Sequence, residues 1–210
     1  MEKKYRTEKD PKTGLLRIIA LKDFSDVREG DIGGLIEKEE NLSQEGRCWV
    51  YEGARVSENA QVYGHAEISG NAQVFGEARV CGKVQIHNNA RVYGNAQVYG
   101  EARIGGYAEV YDNATIHDTA SVEENAKVYG NAKVYRDALI NGKAKVYDDA
   151  RIYGNALVSD NVSVYGNAQV YEEAAVYGNV SVCDNAKVYG YAEFAYGCEA
   201  IISGNEEIDL

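Results

Sequence analysis

Residues 125–154 read NAKVYGNAKVYRDALINGKAKVYDDARIYG. Val128, Val134, Ile140, Val146 and Ile152 recur at every sixth position, and Ala126, Ala132, Ala138, Ala144 and Ala150 sit two residues before them. A small and an aliphatic residue two apart face the same side of a strand, while the residues between and after them face the other side. A six-residue period does not keep one face of a helix apolar, so the pattern excludes helix. The pairs Gly94-Asn95, Gly130-Asn131, Gly154-Asn155, Gly166-Asn167 and Gly178-Asn179 follow the strands and supply residues that tolerate the positive φ of a sharp corner. The unit is a short strand, a two-residue corner and another short strand.

Working outward, the aliphatic register runs unbroken from Val50 to Phe194 as 18 Val, six Ile and one Phe. The small register runs from Ala54 to Cys198 as 21 Ala, three Val and one Cys, with no insertion or deletion. Such self-similarity marks a repeat architecture in which each turn buries its face against its neighbours. The residue after each aliphatic divides into three classes. Phe75, Tyr93, Tyr111, Tyr129, Tyr147 and Tyr165 dominate the first, and Tyr63, Tyr99, Tyr135, Tyr153, Tyr171 and Tyr189 the second. The third reads Tyr51, Ser69, His87, Gly105, Glu123, Asn141, Ser159, Tyr177, Ala195 and nearly avoids Tyr. An 18-residue superperiod predicts three strands per turn: an all-β, three-sided parallel β-helix of about eight coils, roughly 40 Å long at strand spacing.

The expected organisation is an N-terminal β cap with an irregular first coil over 1–49, the repeat array over 50–198, and an acidic C-terminal cap or tail over 199–210. Leu15–Leu21 reads as a strand and Gly30–Gly34 as a turn. Ile36, Leu42 and Cys48 already stand six apart, but Lys38 and Gln44 occupy the aliphatic slots, so that coil is read as irregular. Ile202 and Ile208 restart the register two residues out of phase, and the chain ends GNEEIDL, acidic enough to discourage strand pairing at an open end.

This pattern resembles the bacterial hexapeptide-repeat proteins. The opening RIIALKDFSDVREGDIGGLIEKEENLSQEGRCWVYEGARV (17–56) is similar to the N-terminus of a bacterial and phage YdcK-like subgroup described as transferases. The resemblance implies a left-handed coil. It implies no single activity, because the superfamily includes acyltransferases, zinc-dependent carbonic anhydrases, nucleotidyltransferase extensions and non-catalytic proteins.

Composition narrows the classes. The 210 residues carry a net charge of −11, which argues against a dedicated DNA-binding domain. Four cysteines without a close pair exclude a disulfide framework and a Cys-rich zinc module, and the expected location is cytoplasmic. The longest apolar stretch, Ile18 to Leu21, is too short for a membrane span. Catalysis of the acyltransferase kind needs a histidine base, usually on a projecting loop, and acetyl-CoA as cofactor. His65, His87 and His117 are the weak candidates, and the projecting loop is missing. No metal site is expected, since His87 and His117 belong to different sides. Cys48 and Cys198 read as core residues, and Cys81 and Cys183 as replacements of outward Tyr.

The surface is more informative. Of 18 acids between residues 49 and 198, only Glu67, Glu109, Glu123 and Glu193 lie on flat sides, whereas nine of the 12 bases do. The outward row of the second class, Gln61, Arg79, Gln97, Thr115, Lys133, Arg151, Gln169, Lys187, contains no acid. A flat strip built on Tyr135, Tyr153, Tyr171 and Tyr189 with Lys133, Arg151 and Lys187 is the expected binding surface for a protein or polymer. The purely structural reading is that stacked Tyr rows stabilise the coil by about 0.2–1 kcal/mol per contact. On the third side Leu139, Leu157, Ala175 and Tyr177 form an apolar row and the expected interface of a homo-oligomer. The leading expectation is thus a non-enzymatic rigid rod that binds or scaffolds, conceivably phage-borne and directed at a host protein. A CoA-dependent acyltransferase and an acidic DNA-mimic inhibitor are the alternatives.

Overall fold

The computed structural model describes residues 3–209, with all their side chains except those of 194–199. The protein is an all-β parallel solenoid of about nine turns, with one 3-10 turn at Glu39–Asn41 as its only helix among the described residues. Strands of two residues recur every six, and each pairs in parallel with the strand 18 residues on, as in Lys133↔Arg151↔Gln169. Three rows of strands result. The first runs from Arg55–Val56, the second from Gln61–Val62 and the third from Trp49–Val50.

The core follows from the period. Every aliphatic and every small residue of the register between Val50 and Ala192 is no more than 1% exposed. Each buried Val or Ile contributes about 1.5–3 kcal/mol, and Ala at the alternate slot lets the rows close together. The residue two after each aliphatic turns the corner with positive φ, from Glu58 to Gly190 without exception. In the Gly-Asn pairs it is Gly that takes this conformation. The Asn that follows is instead a rung between coils: Asn95 donates to Asn113 and Asn113 to Asn131, each at 3.2 Å.

Both ends depart from the sequence reading for one physical reason. At the start, β1 (Tyr5–Lys9), β2 (Leu16–Ala20) and β3 (Ile32–Ile36) form an antiparallel meander, and β3 joins the first row in parallel. Ile36 pairs with Val56 and Leu42 with Val62, 20 residues apart instead of 18. The aliphatic slots of the first coil therefore belong to Ile36 and Leu42, and a two-residue insertion before Cys48 releases Lys38 and Gln44 to other work. Gln44 binds the backbone of Lys4 and Tyr5. Buried Asn41 caps open backbone at Glu58 and Ala60.

The expected turn at Gly30–Gly34 is a turn only at Gly30; Gly33 and Gly34 lie within β3. Their role is close approach. A Cβ on Gly33 would stand 2.5 Å from Ile18 and 2.7 Å from the Trp49 ring. At the other end Val182 pairs with Ile202 and Val188 with Ile208, again 20 apart, so two inserted residues are bulged out and Glu207–Asp209 adds a ninth strand to the second row. The acidic segment carries its charge on a further coil. Phe194 and Cys198 fall outside the residues whose side chains are described.

Candidate functional site

The second row places its outward residues in two parallel files. In one, identical rotamers on strands one coil apart put ring on ring: Tyr99, His117, Tyr135, Tyr153, Tyr171 and Tyr189 stack with centroids 4.9–5.0 Å apart and planes within 8°. Each ring covers the faces of its neighbours, so the strip offers ring edges and hydroxyls and leaves few faces for a sugar or base to stack on. Burial raises the pKa of Tyr99, Tyr153 and Tyr171, which keeps these phenols protonated as donors. Tyr153 donates to Gln169 at 3.2 Å.

The other file carries the cations. Lys133 and Arg151 are exposed, and their side chains make no hydrogen bond or ion pair with any described residue. Arg136, at the adjacent corner, lies over the Tyr153 ring at 5.9 Å. Lys187 is spoken for. The ninth strand brings Glu207 to 2.5 Å from its ammonium, so the row that reads as acid-free up to Lys187 ends in a salt bridge. Of the seven expected binding residues, the structure leaves Lys133 and Arg151 with Tyr135, Tyr153 and Tyr171 as an open strip, with Tyr189 and Lys187 at its closed end.

The three histidines are not brought together. His65 is exposed at the corner between the second and third rows. His117 is a rung of the second ladder, and its Nδ1 lies 3.3 Å from Asp118. His87, on the third row, leans over Gly105, where a Cβ would meet its imidazole at 2.3 Å and the Glu123 carboxylate at 2.1 Å. His87 Nε2 thus comes to 3.7 Å from Glu123 two coils away. Among the described residues no group of three or more His, Cys, Asp or Glu could hold a metal ion.

The cysteines also separate. Cys48 is buried as expected, but against an ammonium: Lys4 Nζ donates to the Cys48 carbonyl at 2.8 Å and stands 3.3 Å from its sulfur. Burial raises this thiol and lowers this amine. Cys183 stands in the outward file one coil from Tyr165, as expected, is covered there, and accepts a hydrogen bond that raises Tyr165 to about 12. Half-buried Cys81 likewise accepts a hydrogen bond from Tyr63 and raises its pKa.

The third row stacks Leu139, Leu157 and Ala175 in register, as expected, but all three are half-buried and Tyr177 donates its hydroxyl to Glu193. Among the described residues the largest apolar exposures lie elsewhere, at Tyr191 (79%), Ile201 (70%) and Tyr107 (64%). The acidic corners have a local role. Carboxylates of Glu58, Asp112, Asp118, Glu124, Asp148, Asp160, Glu172 and Asp184 each accept the corner N–H of the following coil at 2.9–3.3 Å. These eight corner acids thus have partners within the coil itself. No helix among the described residues is long and apolar enough to cross a membrane.

Residues 84–100, 144–159 and 150–166 match the YdcK β-solenoid repeat family. A relative in Escherichia coli (strain K12), described as "Uncharacterized acetyltransferase YdcK", is 42% identical over 66 residues, which is 28% of this chain and 20% of the relative. The match thus spans about a fifth of that relative's length. With its strands spaced by six and its coils by 18, the chain is a β-solenoid, and within it residues 84–100 and 144–166 are similar to the YdcK β-solenoid repeat.

Proposed function

We propose that this solenoid is a rigid binding scaffold whose second row docks an extended, acceptor-rich protein or polymer. The observation that carries this reading is the pairing of a continuous phenol ladder with Lys133 and Arg151, two cations that the chain itself leaves unengaged. A partner lying along the row would accept hydrogen bonds from ring hydroxyls one coil apart and neutralise the two charges. Because ring faces are used in stacking, recognition rests on edges and charges; this favours a protein or an acidic polymer over a stacked base.

Capture by chemical crosslinking in an extract of the source cells tests it. The triple variant Tyr135→Ser, Tyr153→Ser, Tyr171→Ser and the double variant Lys133→Glu, Arg151→Glu should both lose partners that wild type and Lys145→Glu retain. Circular dichroism should show the same β-coil in all four. Retained capture by both second-row variants sinks the proposal.

The relative's description supports a second reading, a CoA-dependent acyltransfer with His87 as base and Glu123 orienting it. The described residues do not fit acetyl-CoA within one chain. Every corner from Glu58 to Gly190 keeps the same length, so no loop leans over His87 to form a cleft for the cofactor. This reading therefore requires an intersubunit cleft. Light scattering decides between them: a monomer that forms no acetylated product removes it, and a trimer whose acetyl transfer is lost in His87→Ala restores it.

A further inference from the structure

One corner column differs from the rest of this acidic chain. Between the second and third rows, Arg47, His65 and Lys83 occupy the same corner position in three successive coils. The corresponding positions of the other two columns hold a single cation, Lys143. Together with Ser25, Glu67 and Gln85, the three line a cleft of about 300 Å³ where the N-terminal meander meets the coil.

The cleft is held on both sides. Its cationic wall is fixed by the corner ladder, in which Arg47 N–H bonds the Gly64 carbonyl at 2.7 Å, His65 that of Gly82 at 2.8 Å and Lys83 that of Gly100 at 2.6 Å. The opposing Ser25 sits at the tip of a hairpin closed by mutual Phe24–Val27 backbone bonds of 2.9 and 3.0 Å. That hairpin is anchored by Phe24, edge-on to Trp49 at 5.4 Å, and by Asp26, which accepts the Tyr51 hydroxyl at 2.6 Å. The side chains of Arg47 and His65 make no hydrogen bond or ion pair with any described residue, whereas Lys83 is held by Glu101 at 2.7 Å. Glu67 and Gln85 are joined at 3.4 Å and put an acceptor and a donor side by side.

These groups divide a ligand in two. A guanidinium fork, an imidazole and an ammonium converge on a phosphoryl group, with the Ser25 hydroxyl opposite. The Glu67 carboxylate repels a ligand that is anionic throughout, but with Gln85 it suits vicinal hydroxyls. We propose that this cleft binds the phosphomonoester of a polyhydroxylated small molecule, a sugar phosphate. It is separate from the second-row strip and does not depend on that strip's function.

The test is a thermal-shift screen of the full chain against hexose, pentose and hexosamine phosphates, followed by calorimetry with the best of them. Inorganic phosphate and the corresponding free sugar serve as comparisons. At least one sugar phosphate should bind about tenfold or more tightly than either part alone, and Arg47→Ala or His65→Ala should weaken it by about the same factor. Glu67→Gln should narrow the gap between the sugar phosphate and inorganic phosphate. Lys145→Glu, on the first row, should leave this affinity unchanged. The proposal is overturned if no sugar phosphate exceeds inorganic phosphate, or if the affinity survives Arg47→Ala, His65→Ala and Lys83→Ala together.

Discussion

The first and second rows carry the same device and use it differently. Phe75, Tyr93, Tyr111, Tyr129, Tyr147 and Tyr165 stack on the first row with the spacing of the second-row ladder. On the first row most of the central charges are spent internally, and Lys145 is the central cation whose side chain has no partner among the described residues. Arg91 lies 5.2 and 5.3 Å from the Phe75 and Tyr93 rings, and Glu109 accepts from both Tyr93 at 2.9 Å and Lys127 at 3.1 Å. On the second row no carboxylate of the outward file meets Lys133 or Arg151. Stacked rings by themselves are therefore the coil's own stabilisation, and what distinguishes the second row, the side proposed to dock a partner, is Lys133 and Arg151 unpaired on successive coils of a file that holds no acid before Glu207.

The largest effect expected is on binding. Lys133→Glu with Arg151→Glu should weaken partner capture by about a hundredfold, as loss of two central charges does, while the first-row Lys127→Glu leaves capture intact. Equal loss from both rows, measured by quantitative crosslinking, would erase the distinction. Stability should instead be symmetric. Tyr129→Ser and Tyr135→Ser each remove two stacks and should each cost about 1–3 kcal/mol in urea unfolding. A much larger cost in one row would mean that the ladders differ as structure too.

A smaller effect separates the rows by pH. Burial pushes the Glu109 pKa up, but bonds from Tyr93 and Lys127 prevail and hold it below the usual carboxylate value. A depressed folded pKa gives stability that is present above pH 4.5 and lost as pH falls through the folded value. Lys127→Met should therefore destabilise the protein near neutrality and converge on wild type in acid, whereas Lys133→Met should show no such convergence. At the alkaline end Tyr111 is pushed up to about 12 by burial and its neighbouring phenol. Its raised pKa gives stability that is intact below pH 10 and lost as pH rises through about 12, so phenolate absorbance in the folded protein should lag that of the unfolded chain. The smallest effect should come from a corner: Asp148→Ala frees the Gly166 N–H and should cost about 1 kcal/mol or less, because that group is exposed to water.

The register from Val50 to Ala192 was legible because one residue type repeats with one period and nothing interrupts it. A two-residue insertion at each end moves the inward set to a neighbouring slot without removing it: Ile36 and Leu42 were visible as a series but were assigned to the small slot, and Ile202 and Ile208 were visible as a restarted register in what was read as a cap or tail. Gly33 and Gly34 resemble turn residues in sequence, and only the proximity of Ile18, Trp49 and the Ala54 carbonyl shows why a side chain is excluded there. The Tyr strip was legible as a row, since residues 18 apart must stack. Its covered ring faces and the Lys187–Glu207 pair were not, because both depend on which coil follows. The Arg47–His65–Lys83 column also lay in the spacing, but its cleft is formed by a hairpin whose position no period encodes.

The corner ladder has a consequence for how such a gene can change length. Between Glu58 and Gly190 the Asn and carboxylate rungs join residues 18 apart, so loss or duplication of one such block by recombination between repeats re-forms the same rungs, rings and core. Loss of a six-residue block also preserves the core, but it carries every downstream residue one row around the axis. First-row Tyr would then continue onto the side that holds Leu139 and Leu157, second-row Tyr would extend the first ladder, and the second ladder would end at the junction. Length is therefore free to vary in whole coils, while the identity of each side is kept only by changes in multiples of three hexads.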